Sequence, residues 1–185
     1  MQTEIEKSKY KKIINTFKTN LSLYAKHCLK IIDKQGKLIS FEFNAAQQLL
    51  DDQINKQYAE RGNVRILILK SRQTGISTYC QARGFWKTVS AQNQNAVVVS
   101  HLNESTKAIF GMVRNFYDNL PNPLVTPELK EHTNNSMAFT HGSRWRIATA
   151  RTGEVGRGWT TNYLHGSEVA FYPNSDIIPG LLQTV

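Results

Sequence analysis

Cysteine is scarce in this chain. Cys28 and Cys80 are the only two among 185 residues, too few for a disulfide framework and too far apart for a CxxC metal pair. A reducing cytosolic compartment is the expectation. Long hydrophobic runs are missing as well: the longest, Ile66–Leu69 and Ala96–Val99, are strand-length and far below the roughly 20 residues of a membrane-crossing helix. The opening Met1-Gln2-Thr3-Glu4 lacks the apolar core of a secretory signal. His27, His101, His132, His141 and His165 show neither HExxH nor His-plus-Cys spacing, which argues against structural zinc. Gly166-Ser167-Glu168 is not the G-x-S-x-G elbow of a serine hydrolase. No Asp/Glu cluster suits a two-metal nuclease.

Acidic residues are also few, 14 against 23 Lys and Arg, for a net charge of +9. The excess is uneven. Residues 1–37 hold nine lysines against Glu4, Glu6 and Asp33, a net of +6, leaving +3 for the other 148 residues. A basic segment on a nearly neutral body suits either a polyanionic partner, nucleic acid first, or a solvated lysine-rich helix face. With 40% hydrophobic residues the chain can bury a core, and its length fits one domain or one domain with an appendage.

Periodicity predicts a helix over 3–33, with Ile13, Phe17, Leu21 and Tyr24 on its apolar face and Gln35-Gly36 beyond its end. Asn44 stands as N-cap to a helix over Ala45–Tyr58, whose buried stripe is expected to be Leu49, Leu50, Ile54 and Tyr58. Val64–Leu69 is β-branched and almost uniformly apolar, which suits a strand covered on both faces. A helix from about Ser77 to Val89 follows, then a buried strand over Asn95–Ser100 and an amphipathic helix over Glu104–Leu120 stopped by Pro121. Residues 121–135 read as loop. Met137–Phe139 and Arg144–Ala148 flank His141-Gly142-Ser143 as a hairpin, and Thr161–Leu164 is a short strand. The expected architecture is α/β with a parallel sheet flanked by helices.

The sharpest local signal is Lys70-Ser71-Arg72-Gln73-Thr74-Gly75-Ile76-Ser77-Thr78, between a predicted strand and a helix. A phosphate-binding loop needs that setting. Backbone N–H groups and the helix start present positive charge, glycine allows close approach, and a hydroxyl in the first turn can hold Mg²⁺. Set against G-x-x-x-x-G-K-[ST], only Gly75 and Ser77 match, with Lys70 in place of the first glycine and Ile76 in place of the lysine. An ordinary basic loop is the competing reading of these residues.

That loop, with Phe41-Glu42-Phe43-Asn44-Ala45-Ala46-Gln47 before it and Leu164-His165-Gly166-Ser167-Glu168-Val169-Ala170-Phe171 after it, resembles the large terminase subunits of tailed bacteriophages. The similarity runs from about Phe41 to Pro173. It implies a P-loop NTPase-type fold, here cut short after the second acidic, Walker B-like motif. The implied layout is a basic helical arm over 1–37 and a partial ATPase domain over 38–185, without the family's carboxy-terminal nuclease domain. The implied activity is ATP hydrolysis driving double-stranded DNA into a procapsid, with ATP and Mg²⁺ as cofactors. The implied partners are DNA, the portal protein, a small terminase subunit and like subunits in a ring, and no membrane. The implied location is host cytoplasm, with transient docking at the portal and absence from the mature virion.

The resemblance also implies roles residue by residue. Gln47, or Gln48 one position on, corresponds to the glutamine that reads the adenine edge. Residues Lys70, Ser71, Arg72, Gln73, Thr74, Gly75, Ile76, Ser77 and Thr78 form the nucleotide loop, with Lys70 or Arg72 replacing the displaced lysine. Ser77 is the Mg²⁺ hydroxyl and Thr78 its alternate. Glu168 corresponds to the water-activating glutamate, and Ser167 stands where a Mg²⁺-organising aspartate is usual. Arg157, between Gly156 and Gly158, corresponds to an arginine finger or to a local phosphate or DNA contact. Trp159 beside it is a candidate for stacking on bases. A strand between those of the loop and the acidic motif is expected later in that fold, so the sheet should be rearranged, completed by another chain, or unstable alone. Two other functions compete: a non-catalytic nucleic-acid or protein-binding module with a degenerate loop, and a helicase-like ATPase.

Overall fold

The computed structural model describes residues 2–121, 127–150, 160–173 and 177–185, with side chains from Ser8 onward. The predicted first helix is two helices and a strand. Helix α1 spans Gln2–Thr19 and α2 Leu21–Cys28. Asn20 separates them with an extended backbone, its Oδ1 accepting the Leu23 N–H at 2.9 Å as an N-cap. Strand β1 (Lys30–Ile32) then pairs antiparallel with β2 (Leu38–Ser40). The β-branched Ile31-Ile32 favours extension, and Asp33 accepts the N–H groups of Gln35 and Lys37 to close the turn, with Gly36 left-handed. Local turn chemistry overrides the helical periodicity there.

Helix α3 (Ala45–Arg61) begins at Asn44 as its sequence predicts, with a full capping box between Asn44 and Gln47. Its buried stripe differs from the expectation. Leu49 and Tyr58 are exposed, and the buried residues are Gln47, Asp51 and Ile54. The reason lies in α4 (Ile76–Ser90), which meets α3 through polar contacts. Asp51 Oδ1 accepts from the Tyr79 hydroxyl and from Arg83 Nη1, both at 2.7 Å, while Arg83 Nη2 donates to Asn55. The apolar count alone cannot reveal such a face.

A five-stranded mixed sheet flanked by helices forms the body. Its order is β4 (Leu129–His132), β5 (Ser136–Phe139), β6 (Arg144–Thr149), β3 (Asn95–Ser100) and β7 (Tyr163–Gly166). Strands β6 and β7 both run parallel to β3, whereas β4 and β5 attach antiparallel at the β6 side. The sheet is therefore parallel only in its three strands β6, β3 and β7. The predicted hairpin about His141-Gly142-Ser143 is present, and part of the predicted 121–135 loop is strand β4. Strand β3 is covered on both faces as predicted. Ala96 and Val98 join the main core with α2, α4 and α5 (Asn103–Asp118), while Val97 and Val99 pack with Leu181 of α6 (Ile177–Leu182).

Val64–Leu69 is not a buried strand. No described strand pairs with it, and Leu67 and Leu69 are 88% and 101% exposed. Only Val64 and Ile68 rest against the main core. A segment becomes a strand when its N–H and C=O groups find a ladder, and among the described strands β7 stands at the sheet's edge without this segment beside it. No described helix is long and apolar enough to cross a membrane.

Candidate functional site

Helix α4 packs on β7. A Cβ on Gly84 would come within 2.7 Å of the Tyr163 ring, the Tyr163 hydroxyl donates to Cys80 O at 2.7 Å, and Gln81 Nε2 lies 3.1 Å from His165 Nδ1. Helix α4 ends at Ser90, strand β3 starts at Asn95, and β7 runs parallel to β3, so helix and strand are antiparallel. The start of α4 lies toward the end of the sheet where Gly166, Ser167 and Glu168 leave β7. In open α/β sheets that carboxyl end is where ligands bind.

The loop before α4 has an unusual backbone. Gln73 (φ 61°) and Gly75 (φ 74°) are both left-handed, and no side chain caps the first turn of α4. Turns of this kind leave N–H groups of the loop and helix start convergent and uncommitted, a seat for an anion. Ile76 turns its side chain into the main core, so it can offer a ligand only its backbone N–H. That burial explains an apolar residue where the motif has lysine. Ser77 and Thr78 are half-buried in the first turn, and Thr74 Oγ1 reaches Ser71 O at 3.4 Å.

Lys70, Ser71 and Arg72 are exposed, and neither Lys70 nor Arg72 pairs with a carboxylate among the described residues. The Lys70 ammonium is nonetheless close enough to act on β7. Burial first, and the Lys70 charge second, push the His165 imidazole down to about 4. The same charge is felt at Cys80, where burial dominates and pushes the thiol up to about 12. Lys70 is thus an exposed cation at the start of the loop, without a carboxylate partner among the described residues.

Gln47 lies against the loop, 3% exposed, and its amide has both ends engaged. Oε1 accepts the Asn44 N–H at 2.9 Å and Nε2 donates to Gly75 O at 2.8 Å. Gln48 faces solvent and donates to Asp52 instead. Of the two glutamines left open by the sequence, the structure brings only Gln47 to the loop.

On the opposite side of the site, Ser167 is buried and its N–H donates to Val99 O at 2.8 Å, prolonging the β7 ladder by one residue. Glu168 then adopts a left-handed backbone (φ 56°, ψ 46°), a costly conformation for a non-glycine residue. Its Oε2 lies 2.9 Å from His101 Nδ1, at the carboxyl end of the neighbouring strand β3. His101 also packs on the Phe171 ring at 5.5 Å between centroids. Arg157 and Trp159 lie outside the described residues. The sequence singled out neither the contact of His101 with Glu168 nor the Asp51–Tyr79–Arg83 network. It marked Asn44 as a helix N-cap but not the reach of Asn44 and Gln47 to the loop.

No protein-family model matches the sequence, and no curated protein does. The fold does have a solved counterpart. The chain superposes on the crystal structure of the HK97 bacteriophage large terminase with a TM-score of 0.70 at 12% sequence identity. The alignment covers 90% of this chain and 34% of that one, so the chain spans about a third of the terminase's length. The fold is terminase-like.

Proposed function

We propose that this chain is the ATP-binding front of a phage-type DNA-packaging motor. The observation that carries the reading is the shared location of an uncapped, left-handed loop at the start of α4 and a strained carboxylate, Glu168, at the end of β7. A terminase-like fold around them supports it. Backbone N–H groups from Gln73 to Ser77 cradle the phosphates, and Lys70 or Arg72 supplies the positive charge that Ile76 cannot. Ser77 and Ser167 would offer hard oxygen donors of the kind Mg²⁺ accepts while keeping several waters. Bound there, the ion would neutralise charge developing on the phosphates. Glu168 takes the proton from the water that attacks the γ-phosphate in line. Arg157 serves a neighbouring subunit's nucleotide, and the lysines of α1 face DNA. Portal, small terminase subunit and a ring of like chains complete the motor.

Calorimetry with ATP, with and without Mg²⁺, tests the reading. Wild type should bind, Lys70→Ala or Arg72→Ala should weaken binding about tenfold or more, and Glu168→Ala should keep it. A wild type that binds no nucleotide at all returns the chain to the non-catalytic binding module, which Ser167 in place of an aspartate already favours.

A further inference from the structure

The capping box of α3 grips the loop. Asn44 Nδ2 donates to Thr74 O at 3.1 Å, and Gln47 Nε2 donates to Gly75 O at 2.8 Å. We infer that Asn44 and Gln47 are positioning residues that turn the loop's peptides toward the phosphates, and that Gln47 does not read the nucleotide base. This rests on the nucleotide-binding reading given above.

In a planar trans peptide the C=O and the following N–H point in opposite directions. Fixing the Thr74 carbonyl on the α3 side aims the Gly75 N–H away from α3, and fixing the Gly75 carbonyl does the same for the Ile76 N–H. Two successive amides are so directed to one side of a loop whose next turns are uncapped. Gly75 O also accepts the Tyr79 N–H at 3.1 Å, so both its lone pairs are used and its orientation is fixed twice.

Reading adenine requires a free donor and a free acceptor on the amide. Gln47 has committed one lone pair to Asn44 N–H and one of its two N–H groups to Gly75 O, and at 3% exposure the remaining donor and acceptor have no open edge to offer a base. The two partners are of opposite kind, which fixes the amide's orientation as well. Closeness matters too: a Cβ at position 75 would lie 2.6 Å from Gln47 Nε2. Gly75 thus answers to two demands, a left-handed φ and the approach of the Gln47 amide.

Two variants separate the roles. Gln47→Met keeps the length of the side chain and removes both hydrogen bonds. Asn44→Ser retains a hydroxyl to cap α3 but loses the donor to Thr74 O. Binding of Mg²⁺–ATP and of Mg²⁺–tripolyphosphate, which has no base, is measured for each by calorimetry, with thermal melts to confirm folding. The expected result is that Gln47→Met weakens both ligands by the same factor, about tenfold, and Asn44→Ser weakens both by about threefold. Loss of ATP affinity with tripolyphosphate unchanged in Gln47→Met would make Gln47 a base reader and overturn the inference. So would unchanged binding of both ligands in both variants, or a wild type that takes ATP but not tripolyphosphate. If Gln47→Met does not fold, Asn44→Ser decides: equal loss supports the clamp and no loss overturns it. A wild type that binds neither ligand removes the nucleotide reading itself, and the clamp with it.

Discussion

His101 Nδ1 and Glu168 Oε2 lie 2.9 Å apart, joining the carboxyl ends of the neighbouring parallel strands β3 and β7. The two atoms are in contact without the alignment of a hydrogen bond, and His101 Nδ1 is buried with no hydrogen-bond partner. Under the proposed function, His101 holds the water-activating carboxylate in its resting position. Glu168→Gln should lower kcat for ATP about a hundredfold or more, with nucleotide affinity within about threefold of wild type. His101→Ala should lower kcat about tenfold, and His101→Asn should recover part of the loss. Steady-state hydrolysis assays check this, and a Glu168→Gln enzyme with full turnover would remove Glu168 from its role.

The Asp51–Arg83 pair predicts a stability effect independent of function. Both side chains are largely buried, and Asp51 also accepts from Tyr79. Removing one partner leaves a charge without its counterpart, so Asp51→Ala should cost about 3 kcal/mol. The double variant Asp51→Ala/Arg83→Ala should cost less than the two single changes together. Urea unfolding measures each.

The two thiols give a pH prediction. Burial pushes Cys28 up to about 11 and Cys80 to about 12, against an ordinary value near 9. The folded chain therefore holds these protons where an unfolded chain has begun to release them. Stability from this source is complete below pH 9 and declines as pH rises through the folded values. Urea midpoints should fall between pH 9 and pH 10, with the buried Tyr24, Tyr79, Tyr163 and Tyr172, also pushed up, adding to the fall toward pH 10, and Cys80→Ala should flatten the slope. Neither thiol should react with a disulfide reagent at pH 8 until the protein is unfolded.

Residues 64–70 should behave unevenly. Leu67→Ser and Leu69→Ser should each change stability by less than about 0.5 kcal/mol, because both side chains already lie in water. Ile68→Ala should cost about 1–2 kcal/mol, since Ile68 rests on the main core. Chemical denaturation of the three variants tests this, and a large loss in Leu67→Ser would mean the segment is buried in solution.

Much of the architecture was legible because it is written in short-range chemistry. The Asn44 cap, the doubly covered Ala96–Val99 strand and the hairpin about Gly142 each follow from side chains within a few positions of one another. The failures share a different cause. Val64–Leu69 has the composition of a buried strand, but burial needs a neighbour, and composition cannot say whether one is present. Leu49 and Tyr58 were expected inward because α3 was read by its apolar residues, whereas its inner face is occupied by Gln47 and Asp51, whose partners lie about thirty positions away in sequence. At the site, the loop and Glu168 were visible as motifs. The clamp and the His101 contact were not, because each joins residues that only the fold brings together.

The bare leucines of this chain also shape how it behaves at high concentration. The water-facing side chains of Leu67 and Leu69 lie on the same molecule as β7, which among the described residues has a ladder partner on one side only. Both are adhesive toward further copies, so the apparent molecular mass in solution should climb with protein concentration. Serine at positions 67 and 69 should slow that climb without touching the loop that precedes α4.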